Sequence, residues 1–362
     1  MLQLCFRVTT SVSSLPCYSA LASAGQWLLR SGIQDAEGGV ARYYKFDSGN
    51  LPVSTEITGY TISALSWLFR MTDDSEYLAG AERSAKFLIE KAWHPEYGLF
   101  PYELGYPLPA SYFFDCGIII RGLLALWRIN HNQLLLDVAT ACAYGMRQFR
   151  AADSRWSPII SLPHFEQAPY QKKWSKEPGC FQLKSALAWA EVSELTSDDV
   201  LKSWFEEALA QALVNDAEFL PGSADPSEIM NRLHAYCYYL EALLMVPEHA
   251  MNLIAGIEKV SRMLTEIAPT FERSDVWAQL LRISVLANHN GLAGSKATAE
   301  RVAAFQFTSG VPAILGGFGF GRRNGALLPM VNTVSTAFAV QALAMFELQA
   351  AGKSPGPLAD LI

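Results

Sequence analysis

The sequence predicts an all-α protein, an (α/α)6 toroid in which about twelve helices form six hairpins. Segments with helical apolar spacing follow one another along the chain, and no convincing series of alternating strands interrupts them. Amphipathic segments alternate with largely apolar segments along the chain. That order is expected when an outer layer of helices covers an inner one. A generic helical bundle or solenoid is the alternative.

The first hairpin shows the pattern. Residues Tyr18 to Arg30 carry helical apolar spacing, and the segment Asp35 to Phe46 then breaks it with two glycines and several aromatic residues. This aromatic segment predicts a loop or a small hairpin. The second helix, Glu56 to Met71, is apolar on most sides. Asp73 to Ser75 ends it and can cap the next helix with side-chain oxygens.

The second hairpin repeats this order, and the others follow with less regularity. Helix three, Glu76 to Ala92, alternates apolar and charged residues and so has one wet face. A long loop, His94 to Tyr112, then leads into an apolar helix from Asp115. The remaining predicted helices are Asn132 to Arg150, a sixth after Cys180, Asp198 to Asn215, Arg232 to Val246, Glu248 to Ile267, Asp275 to Ala287, Lys296 to Phe307 and Thr333 to Leu348.

The six apolar helices begin at related junctions, near residues 56, 115, 182, 232, 275 and 333. Nearly every long loop leads into one of them, so the long loops meet at one rim of the ring. The N-termini of the inner helices converge there, and their free amides favour carboxylates and electron-rich ligand oxygens. We therefore expect a concave pocket at this rim.

Length and composition predict one domain over residues 18–350, with an N-terminal extension at 1–17 and a C-terminal tail at 351–362. Apolar residues make up 51% of the 362 residues and charged residues 17%, so a sizeable core can form. The net charge of −7 argues against a dedicated nucleic-acid binder, which needs a cationic face.

Nothing in the sequence indicates a membrane span or secretion. It contains no run of about 18 uninterrupted apolar residues. Residues 1–14 lack the continuous apolar stretch of a cleaved signal peptide. The six cysteines are scattered without a CxxC pair, as expected of reduced thiols. We therefore expect a cytoplasmic protein, and the sequence leaves its oligomeric state open.

Carboxylates at the junctions are the candidate catalytic groups. Glu56 and Asp115 occupy equivalent places on two successive inner helices, and Asp275 lies on the opposite side of the ring. Two carboxylates can act as general acid and base when burial and mutual repulsion separate their pKa values. The alternative is that each only caps its own helix, since acidic residues are common in first turns.

Aromatic and polar residues around the same rim are the candidate substrate-binding groups. A sugar ring suits such a surface, because its apolar face stacks and its hydroxyls need directed hydrogen bonds. His234 can transfer a proton or orient a hydroxyl, and a structural role is the alternative. For the stacking candidates, core packing is the alternative. The predicted set is Tyr60, Trp174, Arg232, His234, Trp277 and Phe318.

Neither a metal nor an organic cofactor is expected. Cys116, Cys180 and Cys237 fall near three junctions, but none has a close ligand spacing, and each suits a small apolar role. The glycine-rich stretch from Gly316 follows no credible strand, so it is not a dinucleotide fingerprint. P-loop, nucleophile-elbow and HExxH motifs are also missing from the sequence.

These residues resemble the six-hairpin glycosidase-like superfamily, and most of all a set of bacterial toroids associated with polysaccharide metabolism. The resemblance rests on Thr55 to Tyr60, Phe114 to Gly117, His234 to Tyr236, and Gly316-Gly317 before the last helix. It implies a carbohydrate-active toroid with a saccharide ligand. Members include hydrolases, lyases, sugar epimerases and inactive forms. Cys116 stands where such proteins often have Thr.

The first functional hypothesis is a glycoside hydrolase acting on an oligosaccharide or polysaccharide fragment, with Asp115 and Glu56 as acid and base and Asp275 assisting. A sugar epimerase is the second enzyme hypothesis, favoured if His234 faces another histidine across the pocket. A non-catalytic glycan-binding or scaffolding toroid in polysaccharide biosynthesis is a third. A terpene-cyclase-like toroid lacks the expected Asp-rich motif.

Overall fold

Twelve α-helices make up most of the computed structural model, which describes residues 18–105, 109–171, 173–220, 225–289 and 291–362. The predicted N-terminal extension, 1–17, lies outside these residues. The helices are α1 (Tyr18–Arg30), α2 (Thr55–Thr72), α3 (Ser75–Phe87), α4 (Phe113–Asn130), α5 (Gln133–Gly145), α6 (Leu183–Thr196), α7 (Asp199–Phe219), α8 (Pro226–Leu243), α9 (Ala250–Ile267), α10 (Ser274–Leu286), α11 (Gly291–Ala303) and α12 (Thr333–Ala350).

The even-numbered helices form a closed inner ring. Each packs on the next, from α2 to α12, and α12 packs back on α2. Their surfaces explain this position: residues 113–126 of α4 and residues 333–345 of α12 are all buried. An outer helix such as α9 buries only the stripe that contains Leu253, Ile257, Val260 and Leu264. The predicted (α/α)6 toroid is confirmed.

Short antiparallel strands join the loops that lead into the inner helices. They are β1 (Tyr43–Lys45), β2 (Gly49–Asn50), β3 (Ala110–Tyr112), β4 (Ile159–Ser161), β5 (Phe271–Arg273), β6 (Gly321–Arg323), β7 (Ala326–Leu327) and β8 (Met330–Asn332). Their orders are β2-β1-β8, β3-β4 and β5-β6-β7. Strands β3, β5 and β8 run directly into α4, α10 and α12, so strand pairing fixes where these helices begin. The aromatic hairpin predicted around residue 44 is β1 with β2.

Glycines bring the backbones of α2 and α4 into contact. A Cβ added at Gly59 would lie 2.9 Å from the Cα of Ile119, and one added at Gly122 would lie 2.5 Å from the carbonyl oxygen of Gly59. Gly59 follows Glu56 by one turn, and Ile119 follows Asp115 by one turn. The close crossing therefore places the two predicted catalytic carboxylates side by side.

The start of α8 corrects the predicted junction near Arg232. The helix begins at Pro226, and the side chain of Asp225 caps it by accepting a hydrogen bond from the amide of Ser227. An N-cap Asp followed by Pro is a strong local start signal. Arg232 and His234 therefore lie about two turns inside the helix rather than at its entrance.

The predicted tail folds back into the ring. Residues 351–356 reverse the chain, with positive φ at Gly352 (68°) and Gly356 (106°). Leu361 and Ile362 are then buried, with 3% and 2% of their surfaces exposed.

No helix within the described ranges is both long and apolar enough to cross a bilayer.

Candidate active site

Asp115 is a buried carboxylate at the N-terminal end of the inner ring. Only 4% of its surface is exposed, and Oδ2 has no hydrogen-bond partner among the described residues. Burial and the nearby charge of Glu56 raise the pKa of Asp115 well above its usual value. Burial also raises the pKa of Glu56, against the opposing effect of Arg42. Ionisation of Glu56 therefore makes ionisation of Asp115 less favourable.

Arg42, a residue outside the predicted set, partly offsets the negative charge of Asp115 and Glu56. Its Nη1 lies 2.8 Å from Oε1 of Glu103, and its guanidinium lies 4.2 Å from the centre of the Tyr102 ring. The charge of Arg42 lowers the pKa of both Asp115 and Glu56. A positive group beside a buried and a half-buried carboxyl group favours the anionic form of one of them.

Hydrogen bonds from the inner helices hold the loops that carry these groups. Thr333 in α12 donates its amide to the carbonyl of Arg42 (3.1 Å) and its hydroxyl to the carbonyl of Ala41 (2.8 Å). Thr55 in α2 donates its hydroxyl to the carbonyl of Pro101 (2.7 Å), one residue before Tyr102. The threonines of the inner helix starts thus fix both loops over the carboxylates.

A second polar group is built around His234. Its Nδ1 lies 2.9 Å from Oε1 of Gln279 and 3.7 Å from Oδ2 of Asp275. Two acceptor oxygens on this side of the ring favour the tautomer with the proton on Nδ1 and the lone pair on Nε2. Burial and the charge of Arg273 lower the pKa of His234 to about 4. The imidazole is therefore neutral at neutral pH.

Asp275 differs from Asp115 although both lie in the first turn of an inner helix. Arg273 forms a bidentate ion pair with the Asp275 carboxylate, donating from Nε to Oδ1 (3.0 Å) and from Nη2 to Oδ2 (2.5 Å). Although burial opposes it, this ion pair and His234 lower the pKa of Asp275. A carboxylate held in this way remains ionised and orients its neighbours.

Trp174 and Arg232 lie near His234. The ring of Trp174 is half-buried and meets the imidazole edge-on, with centroids 5.9 Å apart. Arg232 is ion-paired with Glu177 at 3.1 Å and lies 5.4 Å from the ring centre of Phe219. Trp174 thus offers part of an aromatic surface to a ligand, whereas Arg232 already has partners.

An aromatic layer lies beneath the carboxylates. Tyr60, one turn below Glu56, meets Phe338 edge-on at 5.4 Å. Tyr238 lies 4.7 Å from Phe114 and 4.7 Å from His234. This layer joins the Asp115 side of the ring to the His234 side.

The structure places two predicted stacking residues away from this group. Trp277 donates its indole N–H to Oε2 of Glu272 (2.8 Å), and Arg301 of the outer helix α11 lies 4.8 Å from its ring centre. Phe318 is fully buried and packs near Leu21 of α1. Both rings belong to the packing between layers, which is the alternative that the sequence left open.

Several buried polar atoms at the starts of the inner helices, or in the residue just before α6, lack a hydrogen-bond partner among the described residues. Apart from Asp115 and Tyr60, they belong to residues outside the predicted set, although Gln182 stands at the junction position equivalent to Asp115. Buried polar atoms are rarely left unpaired, so these atoms indicate a place for water or a polar ligand. They include Asp115 Oδ2, Oη of Tyr60, both amide atoms of Gln182, Nε2 of Gln279 and Oγ of Ser335.

The described residues contain no group of three or more His, Cys, Asp or Glu that could hold a metal ion. Cys116 is buried and its Sγ lies 3.3 Å from Oγ of Ser111. A cavity of about 510 Å³ lies elsewhere, on the outer face between α9, α10 and α11, and includes none of the predicted site residues.

Solved structures with similar folds are sugar-processing proteins. A cellobiose 2-epimerase from Spirochaeta thermophila is similar over 94% of this chain and 97% of its own, with 12% identity and a TM-score of 0.71. A sugar epimerase from a ruminal bacterium covers 95% and 99%, with 11% identity and a TM-score of 0.67. An unsaturated glucuronyl hydrolase from a Bacillus species covers 90% and 95%, with 12% identity and a TM-score of 0.61.

No protein-family model and no curated protein matches the sequence. The fold is nevertheless shared along nearly the whole length of these structures. The chain therefore has the (α/α)6 toroid fold of the six-hairpin glycosidase-like proteins.

Proposed function

We propose that this protein is a carbohydrate-active enzyme of the glycoside hydrolase type, which cleaves an oligosaccharide or polysaccharide fragment by carboxylate acid/base chemistry. The observation that carries the proposal is the buried Asp115 carboxylate, unpaired at Oδ2 and close to a second, half-buried carboxyl group, Glu56. Paired carboxyls with separated pKa values are what glycoside hydrolysis needs. The sugar-processing neighbours support the substrate class.

Asp115 is the proposed acid and Glu56 the proposed base. Burial and the charge of Glu56 raise the pKa of Asp115 well above its usual value and favour its protonated form. Burial also raises the pKa of Glu56, but the charge of Arg42 opposes that rise and favours the Glu56 anion. Asp115 gives its proton to the glycosidic oxygen as the bond between that oxygen and the anomeric carbon breaks. Glu56 takes a proton from the water whose oxygen bonds to that carbon. The reaction consumes one water and changes no oxidation state.

Other residues bind and orient the substrate in this proposal. The half-buried rings of Tyr102 and Tyr112, with centroids 4.7 Å apart, and the ring of Trp174 suit the apolar faces of sugars. Asp275 supports His234 rather than transferring a proton itself, because Arg273 already neutralises it. Gln182 has both donor and acceptor atoms free for hydroxyl groups.

The test compares Asp115→Asn and Glu56→Gln with the natural protein on a glycan panel, with products detected by mass spectrometry. Asp199→Asn is the matched control, because Asp199 lies exposed in the first turn of the outer helix α7. We expect turnover to fall by roughly 100-fold or more in the two site variants and to stay unchanged in the control. Unchanged turnover in both site variants would remove the assignment. Saturable binding without product would instead support the glycan-binding alternative.

A sugar epimerase is the second candidate, and one observation favours it. His234 is neutral with its lone pair on Nε2, which suits a base that removes a proton next to a carbonyl. No second histidine is among the hydrogen-bond, ion-pair and ring partners of His234 in the described residues, so in this reaction a carboxyl group supplies the second proton-transfer group. Deuterium incorporation into recovered sugar from D2O, lost in His234→Gln, would favour this reaction over hydrolysis.

We also propose that the enzyme acts in bacterial polysaccharide metabolism in the cytoplasm. Four buried free thiols, at Cys116, Cys142, Cys180 and Cys237, support a reducing compartment. Cell fractionation with an antibody to the native protein tests the location, and recovery outside the cytoplasm would contradict it.

A further inference from the structure

The end of the ring opposite the candidate active site is filled by residues 357–362. Gln341, in the middle of α12, holds this segment with both atoms of its amide group. Its Nε2 donates to the carbonyl of Asp360 (2.7 Å), and its Oε1 accepts from the amide of Ile362 (3.1 Å). Arg70, near the end of α2, pairs with the Asp360 carboxylate at 2.6 Å. Gln341 precedes the end of α12 by nine residues, so the segment reaches roughly 14 Å into the ring.

Two further inner helices bind the same backbone. Arg121 of α4 donates from Nη2 to the carbonyl of Leu361 (3.0 Å), and Lys184 of α6 donates from Nζ to the carbonyl of Ile362 (3.2 Å). The Arg121 side chain is oriented by Glu191, 2.6 Å away. Residues 358–360 form one 3-10 turn, and the backbone groups of residues 360–362 are matched by side chains from three inner helices. Side chains that satisfy the backbone of a separate segment in this way are typical of peptide binding.

This segment connects to the layer beneath the carboxylates. Gln341 Oε1 also accepts from Nη1 of Arg282 (3.2 Å), a fully buried residue. The guanidinium of Arg282 lies 3.8 Å from the ring centre of Phe338, and Phe338 packs edge-on against Tyr60. Tyr60 lies one turn below Glu56. A continuous set of contacts therefore runs from the docked segment to the base of the candidate site.

We propose that the base of the ring is a peptide-docking site for a short segment with one 3-10 turn, occupied by residues 357–362, and that its occupation holds the aromatic layer under the candidate catalytic carboxylates in place. Residues 357–362 then close the ring at this end. The docking site stands independently of the reaction, and only its effect on the carboxylates rests on the proposed function.

The first test removes residues 357–362 and supplies them in trans. A fluorescently labelled peptide covering residues 353–362 is titrated into the deletion protein and the full chain, with anisotropy as the readout. We expect saturable binding to the deletion protein, at least tenfold weaker binding to the full chain, and a higher melting temperature of the deletion protein with peptide. A Leu361→Asp peptide is the control and should bind at least tenfold more weakly. Equal binding of both peptides, or none to a folded deletion protein, would overturn the proposal.

The second test keeps the chain intact, in case the deletion protein does not fold. Gln341→Ala removes both amide contacts with the segment, whereas Gln349→Ala alters the same helix where it contacts the carbonyl of Val285. We expect hydrogen exchange in residues 358–362 to accelerate roughly 30-fold in Gln341→Ala, from the loss of two hydrogen bonds, and not in Gln349→Ala. Equal exchange in the two variants would refute the docking assignment. Because hydrogen exchange does not depend on glycan turnover, this measurement tests the docking site whether or not the proposed function is correct.

Discussion

Asparagine substitutions at Asp275 and Asp115 are expected to change stability in different directions. Asp275 is 1% exposed and bound by two contacts to Arg273, which is 7% exposed. Asp275→Asn would leave that buried guanidinium charge without a counterion, a change that costs about 3–5 kcal/mol. For a chain of this length, that loss corresponds to a melting temperature lower by roughly 4–7 °C.

Asp115→Asn should leave stability unchanged or increased at neutral pH. Oδ2 of Asp115 has no hydrogen bond to lose, and burial makes its negative charge unfavourable. The folded-state pKa lies above the unfolded value, so the penalty is present above the folded pKa and disappears as the pH falls below the unfolded pKa. Any advantage of Asp115→Asn should therefore shrink in acid.

Asp275 has the opposite pH dependence, because its pKa is lowered in the folded protein. Its stabilising effect is present above the pKa of the unfolded chain and is lost as the pH falls through the pKa of the folded protein.

Urea unfolding followed by far-UV circular dichroism, at neutral pH and near pH 4, measures both variants. Equal m-values would confirm that the comparison concerns stability rather than a change in the denatured state. The reasoning fails if Asp275→Asn loses less than about 1 kcal/mol, the range of an exposed ion pair, or if Asp115→Asn is the more damaging substitution.

Three further predictions concern the groups around the site. Gly59→Ala should lower the free energy of unfolding by about 0–2 kcal/mol, because the added methyl group would overpack against the backbone of α4 and this outweighs the gain in helix propensity. In the same urea titration, Gly256→Ala should lower it by less, because its methyl group meets only the side chain of Leu240. Arg42→Gln should raise the pKa of the site carboxyls further in a carbon-13 NMR titration, and unchanged values would show that Arg42 does not act on them. Burial lowers the pKa of Lys184 to about 7, so the natural protein should gain stability relative to Lys184→Met between about pH 7 and pH 10, where the unfolded chain holds more protons. A constant difference over that range would contradict the assignment.

Local patterns were sufficient to predict most of the fold. Helix α1 matches its predicted bounds, and α2 and α12 begin within one residue of theirs, because apolar spacing and capping side chains act over a few residues. The side-by-side placement of Glu56 and Asp115 also follows from equivalent positions on successive helices. The start of α8 was placed too late because the Asp225-Pro226 signal lies in a loop that resembles the other long loops.

The environment of each candidate was not predictable from such patterns. Asp115 and Asp275 occupy the same helical position, yet one is unpaired at Oδ2 and the other is neutralised by Arg273. Trp277 turns toward an outer helix because of the rotation of α10, which a residue-type pattern does not specify. Arg42 reaches the site from a loop that Thr333 holds from the other end of the chain.

The sequence by itself therefore determined the helices, their alternation between two layers, and the end of the ring at which polar side chains gather. Only the tertiary structure decided which carboxylates are free, that Arg42 lies beside them, and that residues 357–362 close the opposite end. The physical reason is the separation along the chain of the residues that interact. Helix formation depends on neighbours within about two turns, whereas pKa values, ion pairs and segment docking depend on groups that are far apart in the chain and meet only when the ring closes.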